Sequence, residues 1–289
     1  MPGTNRWDTA WIRNAIFPGG NQTFIVLVGN LGRRKMKKTL VSALLSLALT
    51  GPAAAQSNGA IKVLTPGVTY WAGIPDLAAG YKKEKGVQVD VQVSGMGRIM
   101  NDTKTATPSP DIVFLPVNLM DQLEADKGIV AGSRTPIGRV RMAVAVRKGN
   151  AIPDISTVAK LAAVLKSANS VQRSNPAGGS MVAAIIDTML KRPEFAGVKS
   201  RISPYGEGGQ ALMRGEGDMA IQAECEIINH PDHLANAGAV PDELGAYMDM
   251  VAAVSIRSAN PSRAADWLKY ATAPGTYSLW LGKGLERVK

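Results

Sequence analysis

The chain has 289 residues, of which 45% are hydrophobic, and a formal net charge of +10. Most of this charge lies near the N-terminus: residues 1–55 hold seven Lys or Arg and one acidic residue, so the remaining 234 residues carry a net charge of only +4. Their basic residues are scattered, which argues against a nucleic-acid partner. Cys225 is the single cysteine, and an intramolecular disulfide is therefore excluded. The length allows one large domain or two lobes.

Residues 36–55 have the pattern of a secretory signal peptide. Lys37 and Lys38 precede an apolar run over 40–49, and three alanines at 53–55 precede Gln56. Signal peptides consist of a cationic start, a short apolar run and small residues before the cleavage site. A membrane anchor, in contrast, needs about 20 apolar residues. The pattern favours cleavage before Gln56 over retention as an anchor, and it predicts a soluble protein of the periplasm.

Residues 1–35 match neither a folded domain nor a known targeting signal. They contain a turn-like Pro-Gly-Gly-Asn at 18–21 and end in a basic group at 33–35. We expect this stretch to be a mis-called or disordered extension, with translation starting at Met36.

Strand-like and helix-like patterns alternate from residue 61 onward. Runs rich in β-branched and apolar residues predict strands over 61–64, 87–93, 111–115, 140–147, 171–174, 199–204, 218–223 and 247–256. Amphipathic patterns predict helices over 77–85, 119–127, 156–166, 180–190, 208–214 and 262–272. This alternation indicates an α/β fold with parallel strand pairs. The segment after 261 either extends the second series of elements or returns to cover the first.

Several short motifs occur in an order that resembles a known family. They are 110–116 (Pro-Asp-Ile-Val-Phe-Leu-Pro), 128–134 (Gly-Ile-Val-Ala-Gly-Ser-Arg), 144–149 (Val-Ala-Val-Arg-Lys-Gly), 153–157 (Pro-Asp-Ile-Ser-Thr), 174–180 (Ser-Asn-Pro-Ala-Gly-Gly-Ser) and Asn260-Pro261. Over residues 60–286 the chain resembles periplasmic solute-binding proteins of ABC importers, in particular the molybdate-binding-like group with the type II periplasmic binding protein fold.

The resemblance implies two α/β lobes, each a mainly parallel sheet flanked by helices, joined by two hinge crossovers near 140–144 and 252–254. Lobe 1 would comprise residues 60–139 and 255–289, and lobe 2 residues 140–254. It also implies that a small anionic ligand binds in the cleft between the lobes, that the cleft closes by a hinge motion, and that the partner is an inner-membrane ABC permease. We expect the protein to act as a monomer.

The residues give an independent reason to place a ligand there, because small and hydroxyl residues follow several predicted strands. The carboxyl ends of strands in open α/β sheets face a crevice, and the unpaired N–H groups at helix starts bind anions. Ordinary turn and capping chemistry explains any one such junction equally well. The candidate ligand contacts are Thr65, Gly67, Val68, Ser94, Gly95, Arg98, Ser174, Gly179, Ser180 and Gln222.

Two ligand classes stay open. Hydroxyl and backbone donors suit an oxyanion such as molybdate, but the first loop has Pro66-Gly67 where molybdate-binding relatives commonly place a serine. Arg98 suits a carboxylate, because its guanidinium matches a carboxylate in two parallel hydrogen bonds. Glu224 would repel a dianion if it faced the cleft, and a surface position or a pair with Arg173 is the favoured interpretation.

No catalytic or metal motif stands out. His230 and His233 flank Pro231 in a predicted solvated turn, Cys225 has no evident partner, and Glu207 and Glu216 are read as solvated residues at helix ends. We therefore expect neither enzyme activity nor a cofactor or metal. A periplasmic sensor for a membrane kinase is the main alternative to transport, and an enzyme is a less favoured one.

Overall fold

The computed structural model describes residues 59–176 and 180–287. The predictions for residues 1–35, for the signal peptide at 36–55 and for Gly179 lie outside the described residues.

In the described part of the chain, ten strands form one continuous sheet in the order β2-β1-β3-β9-β4-β7-β5-β6, with β8 and β10 also paired to β4. The strands are β1 Ile61–Thr65, β2 Val89–Val93, β3 Ile112–Pro116, β4 Thr135–Arg147, β5 Val171–Arg173, β6 Ser200–Ile202, β7 Met219–Ala223, β8 Leu234–Ala239, β9 Tyr247–Val254 and β10 Leu285–Glu286. The helices are α1 Gly67–Trp71, α2 Ile74–Lys85, α3 Met96–Thr105, α4 Val117–Ala125, α5 Val158–Ser167, α6 Met181–Leu190, α7 Gly208–Met213, α8 Glu224–Ile228, α9 Pro261–Ala271 and α10 Tyr277–Gly282.

The α/β class is confirmed, but the sheet is mixed rather than mainly parallel. Parallel pairs lie toward its two ends, where β1 pairs with β2 and β3, and β5 with β6 and β7. Strands β4 and β9 occupy the centre and pair antiparallel with their neighbours. Strand β4 runs from one half of the sheet into the other, whereas β9 lies wholly beside β3 and the first part of β4.

Strand β4 makes the first crossing. Its first part, to Arg141, pairs with β9, and its second part, from Met142, pairs with β7. This lies within the predicted crossover at 140–144. The return crossing lies further upstream than the predicted 252–254, because Ala252 already pairs with Phe114 of β3. The chain comes back between β8 and β9, so residues 247–254 belong with the first half of the sheet.

The C-terminal segment packs onto that first half as well. The buried indole of Trp267 in α9 contacts the ring of Phe114 edge-on, with ring centroids 6.1 Å apart. Tyr270 contacts Tyr81 of α2 at 5.1 Å, and Leu285 of β10 pairs with Val140. Of the two arrangements that the sequence left open, the return to the first half is therefore the one found.

Several elements were not predicted. Helix α3 has a largely polar sequence with two buried apolar side chains, Met96 and Ile99, and two glycine positions at its start. Helices α1 and α8 have only five residues each, which is too short for a periodic pattern to be visible. None of the described helices is both long enough and apolar enough to cross a membrane.

Candidate functional site

A cavity of about 340 Å³ opens where the strand-to-helix junctions of the two halves face each other; we call it the cleft cavity. The first half contributes residues 66–68 after β1 and residues 93–96 after β2. The second half contributes residues 180–182 at the start of α6, together with Glu207 and Glu226. The volume falls within the range of small-molecule sites.

Two ten-residue helices point their N-termini into the cleft cavity from opposite halves. Helix α3 starts after Gly95, and no side chain caps it. Helix α6 starts after Ser180, whose Oγ accepts a hydrogen bond from the N–H of Ala183 at 3.3 Å. Since the first-turn N–H groups of a helix have no intrahelical partner and carry a partial positive charge, the N–H groups of residues 96–98 and 181–182 form an electropositive pair of helix ends.

The structure brings five predicted contacts together at this cavity: Gly67, Val68, Ser94, Gly95 and Ser180 all line it. As ligand contacts they stay predictions. Thr65 lies behind them: its side chain is fully buried, and its hydroxyl shares a hydrogen bond of 2.6 Å with that of Thr69. The Thr65 carbonyl accepts from the N–H of Ser94 at 3.0 Å. Thr65 therefore holds the two loops together instead of facing a ligand.

Three further predicted contacts lie away from the cavity lining. Arg98 is exposed and pairs with Asp102 one turn later, with Nε 3.1 Å from Oδ2. Gln222 is buried, and its Oε1 accepts from the N–H of Gly209. Ser174 is also buried, and its Oγ donates to Oε2 of Glu207 at 2.5 Å. Gln222 and Ser174 support the start of α7, while Arg98 faces solvent because its helix points it outward.

Glu207, read from the sequence as solvated, instead lines the cleft cavity. It is the N-cap of α7, and its carboxylate accepts from the backbone N–H of Gln210 as well as from Ser174. Gly208 makes this position possible, since a Cβ there would lie 2.7 Å from the carbonyl oxygen of Gln172 in β5. The first turn of α7 can approach the sheet this closely only with glycine.

Glu226, at the third position of α8, is the other carboxyl at the cavity, and sequence reasoning missed it. The residue is 5% exposed, and its Oε2 has no hydrogen-bond partner among the described residues. A Cβ built on Gly67 would lie 3.8 Å from its Oε1, so the carboxyl is close to the first loop. Burial raises the pKa of Glu226 well above its usual value, the charge of Glu207 raises it further, and the backbone N–H of Ala223 partly opposes both.

Other candidate groups lie elsewhere. Glu224 accepts from Nδ2 of Asn236 at 2.8 Å, while Arg173 pairs with Asp187, so the predicted Glu224–Arg173 pair is wrong.

His230 and His233 do form a turn. Burial raises the pKa of the Cys225 thiol, which keeps it protonated. Within residues 59–176 and 180–287, no three His, Cys, Asp or Glu side chains are placed to hold a metal ion.

A second cavity, of about 220 Å³, lies beside β4 and β10 and is lined by Arg139, Arg141 and Glu224. Its cations already have acidic partners. Arg139 forms two hydrogen bonds to Asp249, at 2.7 and 2.9 Å, and Arg141 pairs with Asp242 and Glu286. These pairs leave little positive charge for an external anion, so the cleft cavity is the better candidate site.

Residues 61–286 match the family model described as bacterial extracellular solute-binding protein. The chain belongs to this family. Among curated relatives, aconitate isomerase from Pseudomonas sp. is 28% identical over 239 residues, which cover 80% of this chain and 89% of the relative.

Solved structures of solute-binding proteins share the fold. The periplasmic molybdate-binding protein of Azotobacter vinelandii superposes with a TM-score of 0.62 at 15% identity, over 79% of this chain and all of that one. A substrate-binding domain assigned to a molybdenum ABC transporter of Clostridium difficile gives 0.64 at 11% identity, over 79% of this chain and 99% of that one. The predicted resemblance to molybdate-binding-like proteins is thus confirmed at the level of fold.

Proposed function

We propose that this protein captures a small organic acid in the cleft cavity and delivers it to an inner-membrane ABC permease. The observation that carries this proposal is the convergence of the α3 and α6 N-termini on one cavity. A carboxylate placed between them would receive backbone N–H donors from both halves of the sheet. Binding would then favour a closed state, with the two halves acting as lobes around the crossings at β4 and upstream of β9.

The two acidic side chains favour a carboxylic acid over molybdate. Glu207 and Glu226 both line the cavity, whereas no Lys or Arg of the described residues does. A dianion held tightly on all sides would face this negative charge directly. An organic acid can place one carboxylate at the helix ends and turn another part of the molecule toward the glutamates. In its protonated form, Glu226 can also donate a hydrogen bond to the ligand.

The proposed location is the periplasm, after removal of the signal peptide at 36–55, and the proposed active form is a monomer. Membership of the extracellular solute-binding family supports export. A sensor would bind its ligand in the same cavity, and its closed form would dock on a membrane kinase instead of a permease. The fold does not distinguish these two partners.

Isomerisation of the bound acid is a second candidate function. It is favoured by the relative named aconitate isomerase and by the buried carboxyl of Glu226 at the cavity. Capture and isomerisation need the same binding step, so the first experiment concerns binding.

Calorimetric titration of the purified secreted protein tests the proposal. The panel should contain molybdate, sulfate, succinate, citrate, cis-aconitate and trans-aconitate. We expect at least one carboxylate to bind with a Kd in the micromolar range or below, and molybdate and sulfate to bind at least ten times more weakly. Tighter binding of molybdate than of every carboxylate would contradict the choice of ligand class, and no heat from any compound would contradict capture of a small anion.

A further inference from the structure

The buried carboxyl of Glu226 is only partly hydrogen-bonded. A buried carboxyl normally makes hydrogen bonds, because leaving one of its oxygens unsatisfied costs free energy. Oε2 of Glu226 is buried without such a partner among the described residues, and the side chain lines an open ligand cavity. A group kept in this state at a site is a candidate for chemistry on the ligand.

Glu207 and Glu226 have different environments although they line the same cavity. Glu207 is half-buried and accepts hydrogen bonds from Ser174 and from the N–H of Gln210. Glu226 is more deeply buried, and the nearby charge of Glu207 raises its pKa. Glu226 is therefore the carboxyl of this cavity with an oxygen available to the ligand, whereas the Glu207 carboxylate is held by its hydrogen bonds.

We infer, on the basis of the proposed capture of an organic acid, that Glu226 exchanges a proton with a carbon atom of the bound ligand. The ligand class is an unsaturated polycarboxylic acid with a methylene group between a carboxylate and a carbon–carbon double bond. The hydrogens of such a methylene are acidic, because the electron pair left behind spreads over the neighbouring double bond and carboxylate.

The step is balanced without a co-reactant. Ionised Glu226 takes a proton from the methylene: the C–H bond breaks, an O–H bond forms on the glutamate, and the electron pair spreads over the three carbons. The N–H groups at the starts of α3 and α6 stabilise the added negative charge on the ligand carboxylates. Glu226 then returns the proton to the carbon at the far end of the three. The double bond has moved by one position, and the protein is unchanged.

Glu207 is a positioning residue in this scheme, because its fixed charge keeps Glu226 strongly basic. Its effect should therefore appear in the pH dependence of exchange. Replacing Glu207 by glutamine should shift the pH–rate profile to lower pH and should lower its high-pH plateau about 10-fold, because Glu226 becomes a weaker base. A purely structural role would leave the profile in place.

The experiment follows trans-aconitate and itaconate by proton NMR in D₂O with the purified secreted chain. We expect deuterium to replace the methylene hydrogens, and cis-aconitate to appear from trans-aconitate. Glu226→Gln should reduce exchange at least 1,000-fold, while calorimetry shows affinity within about fivefold of wild type. Glu226→Asp, which keeps the acid but withdraws it by one methylene, should exchange at an intermediate rate.

Glu224→Gln is the matched control: it makes the same change two residues earlier in α8, beside Asn236 and outside the cleft cavity, and should exchange at the wild-type rate. Carboxylate binding without exchange of either compound would overturn the inference and leave the capture function standing. Exchange by Glu226→Gln at the wild-type rate would overturn the assignment to Glu226. Absence of binding by every carboxylate would overturn both proposals.

Discussion

Replacing Gly95 by aspartate is expected to abolish ligand capture and leave the protein at least as stable as the wild type. No atom lies within 4 Å of a Cβ built at this glycine, and its φ of −66° suits any residue. Aspartate is a favoured N-cap, and replacing the N-cap glycine of α3 by it should add about a few tenths of a kcal/mol to the free energy of unfolding. The same carboxylate would occupy the N–H groups that we assign to the ligand and would repel an anion.

We expect the affinity for the bound carboxylate to fall by about 100-fold, which corresponds to roughly 2.7 kcal/mol. Calorimetry measures the affinity, and urea unfolding measures the stability. Gly97→Asp is the control, because Gly97 lies in the same first turn, is exposed and has the same free space, but does not line the cavity. It should cost less than about fivefold in affinity, since an exposed charge is screened by solvent. An unchanged ligand affinity of Gly95→Asp would show that the N-terminus of α3 does not contact the ligand.

The largest effect on stability is expected for Trp267→Ala. The indole is fully buried against Phe114, so the substitution leaves a large cavity between α9 and the first half of the sheet. Such changes cost about 3–5 kcal/mol of unfolding free energy. Urea unfolding followed by circular dichroism measures the loss.

Two further variants serve as controls for the loss of stability in Trp267→Ala. Nε1 of Trp267 has no partner among the described residues, so Trp267→Phe loses less than the alanine variant, because it keeps a ring and removes an unsatisfied donor. Trp71 is 37% exposed, and Trp71→Ala should cost at most about 1 kcal/mol. A loss below that value for Trp267→Ala would mean that α9 contributes little to the core.

The sequence was sufficient for the strands with the strongest apolar signal. All five residues of β3 are buried, and their unbroken run of apolar residues identifies a strand covered on both faces. The loops that meet at the cavity could also be predicted, because strand ends followed by glycine and serine mark the crevice of an α/β sheet.

Side-chain direction could not be predicted from the same patterns. Thr65, Ser174 and Gln222 lie in or next to the right loops, yet each points into the protein and supports a neighbouring segment. Arg98 was predicted to face the ligand, but it points to solvent and pairs with Asp102. The spacing of these two residues suits an i,i+4 pair on a helix. It could not be used, because α3 was not predicted to be a helix.

The position of Glu226 at the cleft cavity could not be predicted from the sequence. Its neighbours Cys225 and Ile227 are apolar and buried, so a glutamate between them is a weak hint of a buried carboxyl. Its proximity to Gly67 depends on how α8 meets the loop after β1, two segments far apart in the chain. Only the fold reveals that proximity.

A crystal structure of the secreted protein with its bound carboxylate tests the central claim most directly. We predict ligand density in the cleft cavity, with one carboxylate within hydrogen-bond distance of backbone N–H groups at the starts of both α3 and α6, and with a ligand carbon next to the Glu226 carboxyl. Density elsewhere, such as beside Arg139 and Arg141, with the cleft cavity empty, would contradict the account.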